Sequence, residues 1–132
     1  AVVARMLAAA GVPRAAYDFA DGSGMSSYNR ISPRAMARFL TWAARQPWGD
    51  AWRATLATPG AGTLSRRFRG TALDGRLWAK TGTLNATNAL AGYLQAKSGR
   101  RLAFAFYAND VPGDAGATAA MDQALLAIAT AN

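Results

Sequence analysis

The chain has 132 residues, of which 52% are hydrophobic and 17% charged, and its formal net charge is +8 at pH 7. This length suits one domain or a piece of one, and the apolar residues form no run near the roughly 18 that cross a membrane, so we predict no transmembrane segment. The absence of cysteine and histidine excludes a disulfide framework, thiol catalysis and histidine as a general base.

The remaining charged residues bear on cofactors and partners. The seven acidic residues are not clustered at ligand spacing, so we predict no metal site and no cofactor. The positive charge suits an anionic partner. Because no helix-turn-helix, zinc-finger or aromatic-plus-basic sheet motif accompanies the arginines, we do not predict nucleic-acid binding. A solvated arginine-rich surface and binding to an anionic polymer such as cell-wall material remain as alternatives.

The N-terminal segment predicts a helix, a short extended piece and a loop. A helix over residues 1–10 is indicated by apolar residues at helical spacing, and Gly11 followed by Pro13 ends it. Residues 17–19 indicate an extended piece that leads into DGSGMSSYN, residues 21–29. This segment is dense in turn residues, and a loop of that composition can bring its backbone close to a ligand.

Ser32 and Pro33 predict the start of a second helix, with Ser32 as the N-cap and Pro33 at the first helical position. One face of this helix is apolar, and we expect it to be core: Met36, Phe39, Leu40 and Ala43. Three tryptophans follow or overlap the helix end, and we predict that they pack around the corner at residues 47–49 instead of forming an exposed stacking platform: Trp42, Trp48 and Trp52.

The second half predicts a sheet covered by helices. Residues 54–74 are rich in glycine, threonine and arginine and indicate loops with one or two short helical turns. Strands are predicted over 76–80, 89–96 and 102–109, and a hairpin turn at 97–100 joins the last two. Both faces of the last strand are apolar, which favours a central strand. A helix over 115–131 would cover one face, so the predicted class is mixed α/β, of the α+β type.

Lys80-Thr81-Gly82 follows the first of these strands. The simple structural interpretation is a solvated lysine at a strand exit. A chemical interpretation applies if this strand forms a sheet edge beside a cleft. An extended peptide would then pair with it, Lys80 and Thr81 would hold a substrate carboxylate, and Gly82 would let the backbone approach. The N–H of Thr83 would be one donor of an oxyanion hole.

The segment from TPGAGTL to FYAND, residues 58–110, resembles the C-terminal part of the penicillin-binding D-alanyl-D-alanine carboxypeptidase/endopeptidase family, the DacB-like, class C, low-molecular-mass enzymes. DGSGMSSYNRISPRAM resembles that family's DGSGLSR loop and the helix after it. The resemblance runs from about Val2 to Asn109. A Lys-Thr-Gly triplet accompanies an S-x-x-K nucleophile motif in penicillin-binding proteins and related β-lactamases.

The resemblance implies roles for individual residues. Lys80, Thr81 and Gly82 match the substrate-binding triplet, with Lys80 counted among the catalytic groups. Thr83 matches the oxyanion-hole position. Ser23 and Gly24 match the loop that borders the donor site. The family usually has arginine where this chain has Ser27, although Arg30 lies close by.

The catalytic nucleophile of the family has no counterpart in this chain. No serine is followed three residues later by lysine, and Ser27-Tyr28-Asn29, although of the form S-x-N, lies in the DGSG loop and not upstream in a helix. Residues 1–132 therefore correspond to the C-terminal part of one penicillin-binding protein/serine β-lactamase-like transpeptidase domain, an antiparallel sheet covered by helices. We predict negligible turnover by the isolated chain and recovery when the N-terminal portion of the same enzyme associates with it.

The implied function is that of a serine-type carboxypeptidase/endopeptidase. The whole protein would hydrolyse peptidoglycan peptides ending in D-Ala-D-Ala through an acyl-enzyme, would bind β-lactams, and would be periplasmic or extracytoplasmic. One alternative is a serine β-lactamase or esterase of the same fold, which would release penicillin rapidly. The other is a non-catalytic module binding an anionic polymer, for which Lys80→Ala would cost no more affinity than Arg66→Ala.

Overall fold

The computed structural model describes residues 2–113 and 115–132. These residues form four α-helices, five strands and two short 3-10 helices. In chain order they are α1 (Val2–Ala9), β1 (Tyr17–Asp18), β2 (Arg30–Ile31), α2 (Pro33–Ala43), α3 (Gly49–Ala54), β3 (Leu77–Leu84), β4 (Thr87–Gln95), β5 (Arg101–Ala108) and α4 (Ala117–Ala131). Among the described helices, none is both long and apolar enough to cross a membrane.

The helix boundaries follow the local chemistry that the sequence indicates. The Ser32 side chain accepts a hydrogen bond from the N–H of Ala35, and Pro33 occupies the first helical position of α2. This N-cap satisfies one backbone donor that the helix leaves unpaired. After α1, Gly11 adopts φ +70°, a conformation that glycine takes without steric cost. Both predicted helix boundaries are therefore confirmed.

The main sheet has three antiparallel strands in the order β3-β4-β5, and β1 pairs with β2 in a separate two-stranded sheet. Residues 96–100 connect β4 to β5 and include the predicted turn at 97–100. Within residues 2–113 and 115–132, β4 is the central strand and β5 lies at one edge, so the central position predicted for β5 is not found in this part of the protein. Apolar side chains on both faces of a strand indicate that other elements pack on both faces. They do not indicate whether another strand pairs with either edge.

Two apolar clusters, one on each face of the sheet, explain why β5 is apolar on both sides. On one face, α4 contributes Met121 and Leu125, which pack in a cluster with Phe104 of β5. On the other face, α2 contributes Phe39 and Leu40, which pack with Tyr93 and, at the margin, with Ala103 of β5. The Tyr93 hydroxyl donates to the Leu40 carbonyl at 2.7 Å, so a hydrogen bond also ties α2 to the sheet.

Trp42 in α2, Trp48 after it and Trp52 in α3 pack against one another at the predicted corner. Trp48 makes edge-on contacts with Trp42 and Trp52, with ring centroids 5.7 and 6.4 Å apart. Phe39 lies 6.0 Å from both Trp42 and Trp52. Edge-to-face geometry is favourable for aromatic pairs at such distances. Phe39, Trp42 and Trp52 belong to the second cluster, whereas Trp48 remains 41% exposed.

β3 is longer than the sequence predicts. It continues past Lys80 to Leu84, and a two-residue turn at Asn85 and Ala86 leads into β4. Ala86, the second residue of this turn, takes a positive φ of +49°. The prediction ended the strand at Lys80 because the residues after it are small and polar, whereas threonine has a good strand propensity and pairing with β4 supplies the rest.

Candidate active-site strand and its cleft

β3 lies at one edge of the main sheet. One isolated bridge shows in which direction its backbone N–H and C=O groups point. Ala79 and Ala57 exchange two backbone hydrogen bonds, of 2.9 and 3.1 Å, on the side of β3 away from β4. Because backbone groups in a strand alternate in direction, the N–H and C=O of Thr81 and Thr83 point to this same outer edge, whereas those of Lys80 and Gly82 pair with β4. The outer edge beyond Ala79 therefore presents backbone groups for pairing.

Lys80 lies on the α2 face of the sheet and is exposed to solvent. Successive side chains alternate between faces, and Trp78, two residues earlier, belongs to the cluster under α2. The Lys80 ammonium donates to the carbonyl oxygen of Thr81, one of the outward-pointing groups. A positive charge is thus placed over the free edge of the strand.

The fold itself does not demand glycine at position 82. A Cβ atom added at Gly82 would meet only the Cβ of Ala89, at 3.4 Å, and Gly82 has no left-handed φ. The strand would accept alanine there with little adjustment. The lack of a side chain therefore keeps the exposed strand edge open next to the Lys80 ammonium.

The loop containing Ser23 and Gly24 is organised by two of its own polar side chains. The Asp21 carboxylate accepts from the backbone N–H and hydroxyl of Ser23 and from the Asn29 amide, at 2.8 to 3.0 Å. The Asn29 carbonyl accepts in turn from the N–H groups of Ala20 and Asp21. These hydrogen bonds, from Asn29 first and then Ser23, lower the pKa of Asp21 below its usual 3.8.

The S-x-N form of residues 27–29 thus has a structural explanation. Both functional atoms of the Asn29 side chain are engaged inside the loop. This agrees with the interpretation that the triplet does not correspond to the family's catalytic S-x-N motif.

Asn29→Ala is expected to loosen this loop. Losing both ends of the Asn29 amide should accelerate hydrogen exchange of the Ala20 and Asp21 amides about tenfold, since each loses its acceptor. Exchange measured residue by residue checks this, with Ser27→Ala as the control. In the wild type, the hydrogen bonds to the ionised Asp21 should protect the loop above the lowered pKa of Asp21. This protection should be lost as pH falls through that pKa. Equal exchange in the two variants would contradict the assignment.

A cleft of about 1020 Å³ lies between this loop and the far end of the main sheet. Its wall on one side includes Ser26, Ser27 and Arg30, and on the other Leu84 and Tyr107. Ala89, the cross-strand partner of Gly82, also lines it. The cleft therefore lies against the turn between β3 and β4 and the adjoining parts of β4 and β5, one strand away from Gly82.

The structure brings the predicted site residues together only in part. Lys80, Thr81, Gly82 and Thr83 are consecutive on β3 and lie outside the lining of the cleft, which includes the next residue of the strand, Leu84. Ser23 and Gly24 are exposed in the loop and also outside the lining, whereas their neighbours Ser26 and Ser27 face it. Tyr107 lines the cleft but was not predicted as a site residue, because its position in an apolar strand gives no sign of a cleft.

Tyr107 should make stability fall at alkaline pH. Burial raises the pKa of Tyr107 from 10 to about 12. Between these values the unfolded chain loses the phenolic proton while the folded chain keeps it, so stability is full below pH 10 and is lost as pH rises towards 12. Because the ring is partly exposed, the slope should stay below the limit of about 1.4 kcal/mol per pH unit.

Tyr107→Phe should make the decline between pH 10 and 12 shallower in urea unfolding measured at each pH. Tyr28→Phe is the matched control, because Tyr28 is 72% exposed. Identical slopes for wild type and Tyr107→Phe would contradict the burial argument.

Comparison with known proteins decides the family. The model of the D-Ala-D-Ala carboxypeptidase 3 (S13) family matches residues 1–131. The chain belongs to this family. A D-alanyl-D-alanine carboxypeptidase of Actinomadura sp. (strain R39) is 37% identical over 119 residues, which are 86% of this chain and 22% of that protein.

Solved structures agree with this family and confirm the predicted fold. Penicillin binding protein 4 (dacB) from Haemophilus influenzae matches with a TM-score of 0.74 and 29% identity, over 86% of this chain and 26% of that one. The same protein complexed with a β-lactam matches with a TM-score of 0.71 and 30% identity, over 83% of this chain and 26% of that one. The S13 chain described here thus spans about a quarter of the length of these relatives.

Proposed function

We propose that this chain supplies the substrate-binding strand of a serine-type D-Ala-D-Ala carboxypeptidase/endopeptidase that acts on peptidoglycan peptides. The observation that carries the proposal is the open edge of β3, where the outward backbone groups of Thr81 and Thr83 stand beside the Lys80 ammonium. The membership of the S13 family supports a carboxypeptidase activity for the whole protein.

In this proposal four consecutive residues have separate roles. The peptide backbone pairs with the outward groups of β3, as an added antiparallel strand. The Lys80 ammonium and the Thr81 hydroxyl bind the terminal carboxylate. Lys80 then gives up its hydrogen bond to the Thr81 carbonyl oxygen and pairs with the substrate instead. Gly82 leaves room for the peptide. The N–H of Thr83 stabilises the negative oxygen of the tetrahedral intermediate.

The nucleophilic serine and its lysine base belong to the N-terminal portion of the same enzyme. The serine oxygen bonds to the carbonyl carbon of the penultimate D-Ala, the peptide bond breaks, and terminal D-Ala leaves with a proton on its nitrogen. Water then hydrolyses the ester. β-Lactams acylate the same serine, and the β-lactam complex of the Haemophilus influenzae protein supports binding of such compounds. The same proposal places the enzyme in the periplasm or another extracytoplasmic space.

The test is intact mass spectrometry of the full-length protein, denatured after incubation with a penicillin. The proposal expects a stoichiometric gain of the penicillin mass that persists for many minutes, together with release of D-Ala from a D-Ala-D-Ala peptide. The isolated chain should gain nothing. Rapid loss of the added mass would favour a β-lactamase instead, and no gain by the full-length protein would overturn the proposal.

A further inference from the structure

A second concave site lies away from the cleft, at the other end of β5. It has a volume of about 430 Å³ and is walled by the end of α2, the corner at residues 44–49, α3 and the start of β5. Ala103 of β5 lines it, whereas Tyr107 lines the cleft described above. Four residues of strand separate the two, or about 13 Å.

Three guanidinium groups and one carboxylate line this second site: those of Arg45, Arg53, Arg101 and Asp50. Asp50 Oδ1 lies 3.1 Å from Arg53 Nη2 and 4.0 Å from Arg101 Nη1. Two guanidinium groups therefore converge on a single carboxylate oxygen, so the site already accommodates an oxyanion. One acid against three arginines leaves a local excess of positive charge.

Arg53 is held in place more firmly than the other two arginines. Its guanidinium carbon lies 5.0 Å from the centre of the Trp78 ring, and its side chain is only 25% exposed. Stacking on an aromatic ring fixes the plane of a guanidinium group. Tyr93 forms part of the floor, and its hydroxyl is bonded to the Leu40 carbonyl, so the wall behind Arg53 is rigid.

Arg101 and Arg45 are the groups available to an incoming anion. The Arg101 side chain is 63% exposed and its contact to Asp50 is long, so exchanging it costs little. Within the described part of the chain, Arg45 makes no ion pair with Asp50, although both line the site. Guanidinium groups bind phosphate oxygens in pairs of parallel hydrogen bonds, and two of them match the charge of one phosphate group.

We propose that this pocket binds a phosphate group, with Arg45 and Arg101 as its direct ligands and Arg53 as the fixed positive background. The proposal is independent of the catalytic role proposed for β3. A phosphate group reaches the pocket either as a free ion or as part of a polymer with a phosphodiester backbone. A site at this place would anchor such a polymer without blocking the cleft.

The test uses the full-length protein and two probes: inorganic phosphate, followed by calorimetry, and a fluorescent oligo(glycerol phosphate), followed by anisotropy. Arg45→Gln and Arg101→Gln should each weaken oligomer binding about tenfold, the equivalent of one charged hydrogen bond. Arg66→Gln, the same charge change at an exposed site in the loop segment before β3, should change it less than about twofold.

Asp50→Asn provides a variant with the opposite expected sign. It removes the internal competitor for Arg53 and Arg101, and Asp50 is 87% exposed, so the fold should persist. Binding should tighten several-fold, which a misfolded variant would not do. D-Ala release from a small peptide should stay unchanged in all four variants.

The two probes also separate the sources of the phosphate group. Comparable affinity for inorganic phosphate and oligomer indicates a small-ion site, and much tighter oligomer binding that inorganic phosphate competes for indicates a polymer anchor. Both results support the proposal. An equal loss with Arg66→Gln, no change with Asp50→Asn, or no binding of either probe would overturn it.

Discussion

Gly92→Ala is expected to destabilise the protein by about 3 kcal/mol or more, the upper range for forcing extra atoms into a packed interior. A Cβ at Gly92 would lie 2.0 Å from the Trp78 carbonyl oxygen and 2.7 Å from the Ala79 Cα. Both are backbone atoms of the partner strand, so no side chain can move aside. The strands β3 and β4 would have to separate, and Leu77, Ala79, Leu90 and Leu94 of the first cluster would be disturbed.

Urea unfolding of the protein measures this effect, and Gly82→Ala is the matched control. It makes the same change on the paired strand, where the new Cβ meets only Ala89, and its effect on stability should be below about 1 kcal/mol. Under the proposed function it should nevertheless slow acylation. A smaller shift in the unfolding midpoint for Gly92→Ala than for Gly82→Ala would contradict the geometry of this sheet.

Lys80→Ala is expected to slow penicillin acylation and D-Ala release by the full-length protein on the order of a hundredfold. Removing one preorganised electrostatic group from an acyl-transfer site has an effect of that size. Folding should be unaffected, because Lys80 is exposed and its side chain, among the described residues, bonds only to Thr81. The second-order rate constant of acylation, from the rate of mass gain, measures this effect.

Lys97→Ala is the control for Lys80→Ala. Lys97 is the other lysine of the chain, lies in the exposed turn after β4, and its substitution should leave acylation unchanged. Arg66→Ala addresses the alternative of a non-catalytic polymer-binding module. If polymer affinity falls equally with Lys80→Ala and Arg66→Ala while acylation does not change, the role proposed for Lys80 is wrong.

Local signals predicted the helices well because each depends on few neighbouring residues. The Ser32-Pro33 start, the end of α1 before Gly11 and the apolar spacing in α4 were all readable from the chain, and so was the turn between β4 and β5. In α4, Met121, Leu125 and Ala129 form the buried stripe, and Ile128 beside them is partly buried.

The sheet was less predictable because strand order depends on contacts between distant residues. The central position of β4 and the continuation of β3 to Leu84 come from pairing, and no local pattern encodes the bridge between Ala57 and Ala79. The candidate site shows the same limit. The triplet at Lys80 was visible as a motif, but the outward direction of Thr81 and Thr83 follows only from that bridge.

Neither the cleft nor the second concave site was predictable from the sequence. Each is walled by segments far apart in sequence, such as Arg45 and Arg101, or Ser27 and Tyr107. The sequence gives the arginines of the second site only as part of a scattered positive charge. Arg53 and Arg101 converge on Asp50 because α3 and the start of β5 line the same site.

The central claim is that the outward backbone groups of β3 form the edge that binds substrate. Hydrogen exchange resolved to single amides, measured on the full-length protein before and after acylation by a penicillin, tests this directly. The Thr83 amide should exchange at least about tenfold more slowly in the acyl-enzyme, because it gains an acceptor, whereas the Gly82 amide, already paired with β4, should not change. Unchanged exchange at Thr83 in a fully acylated protein would contradict the account.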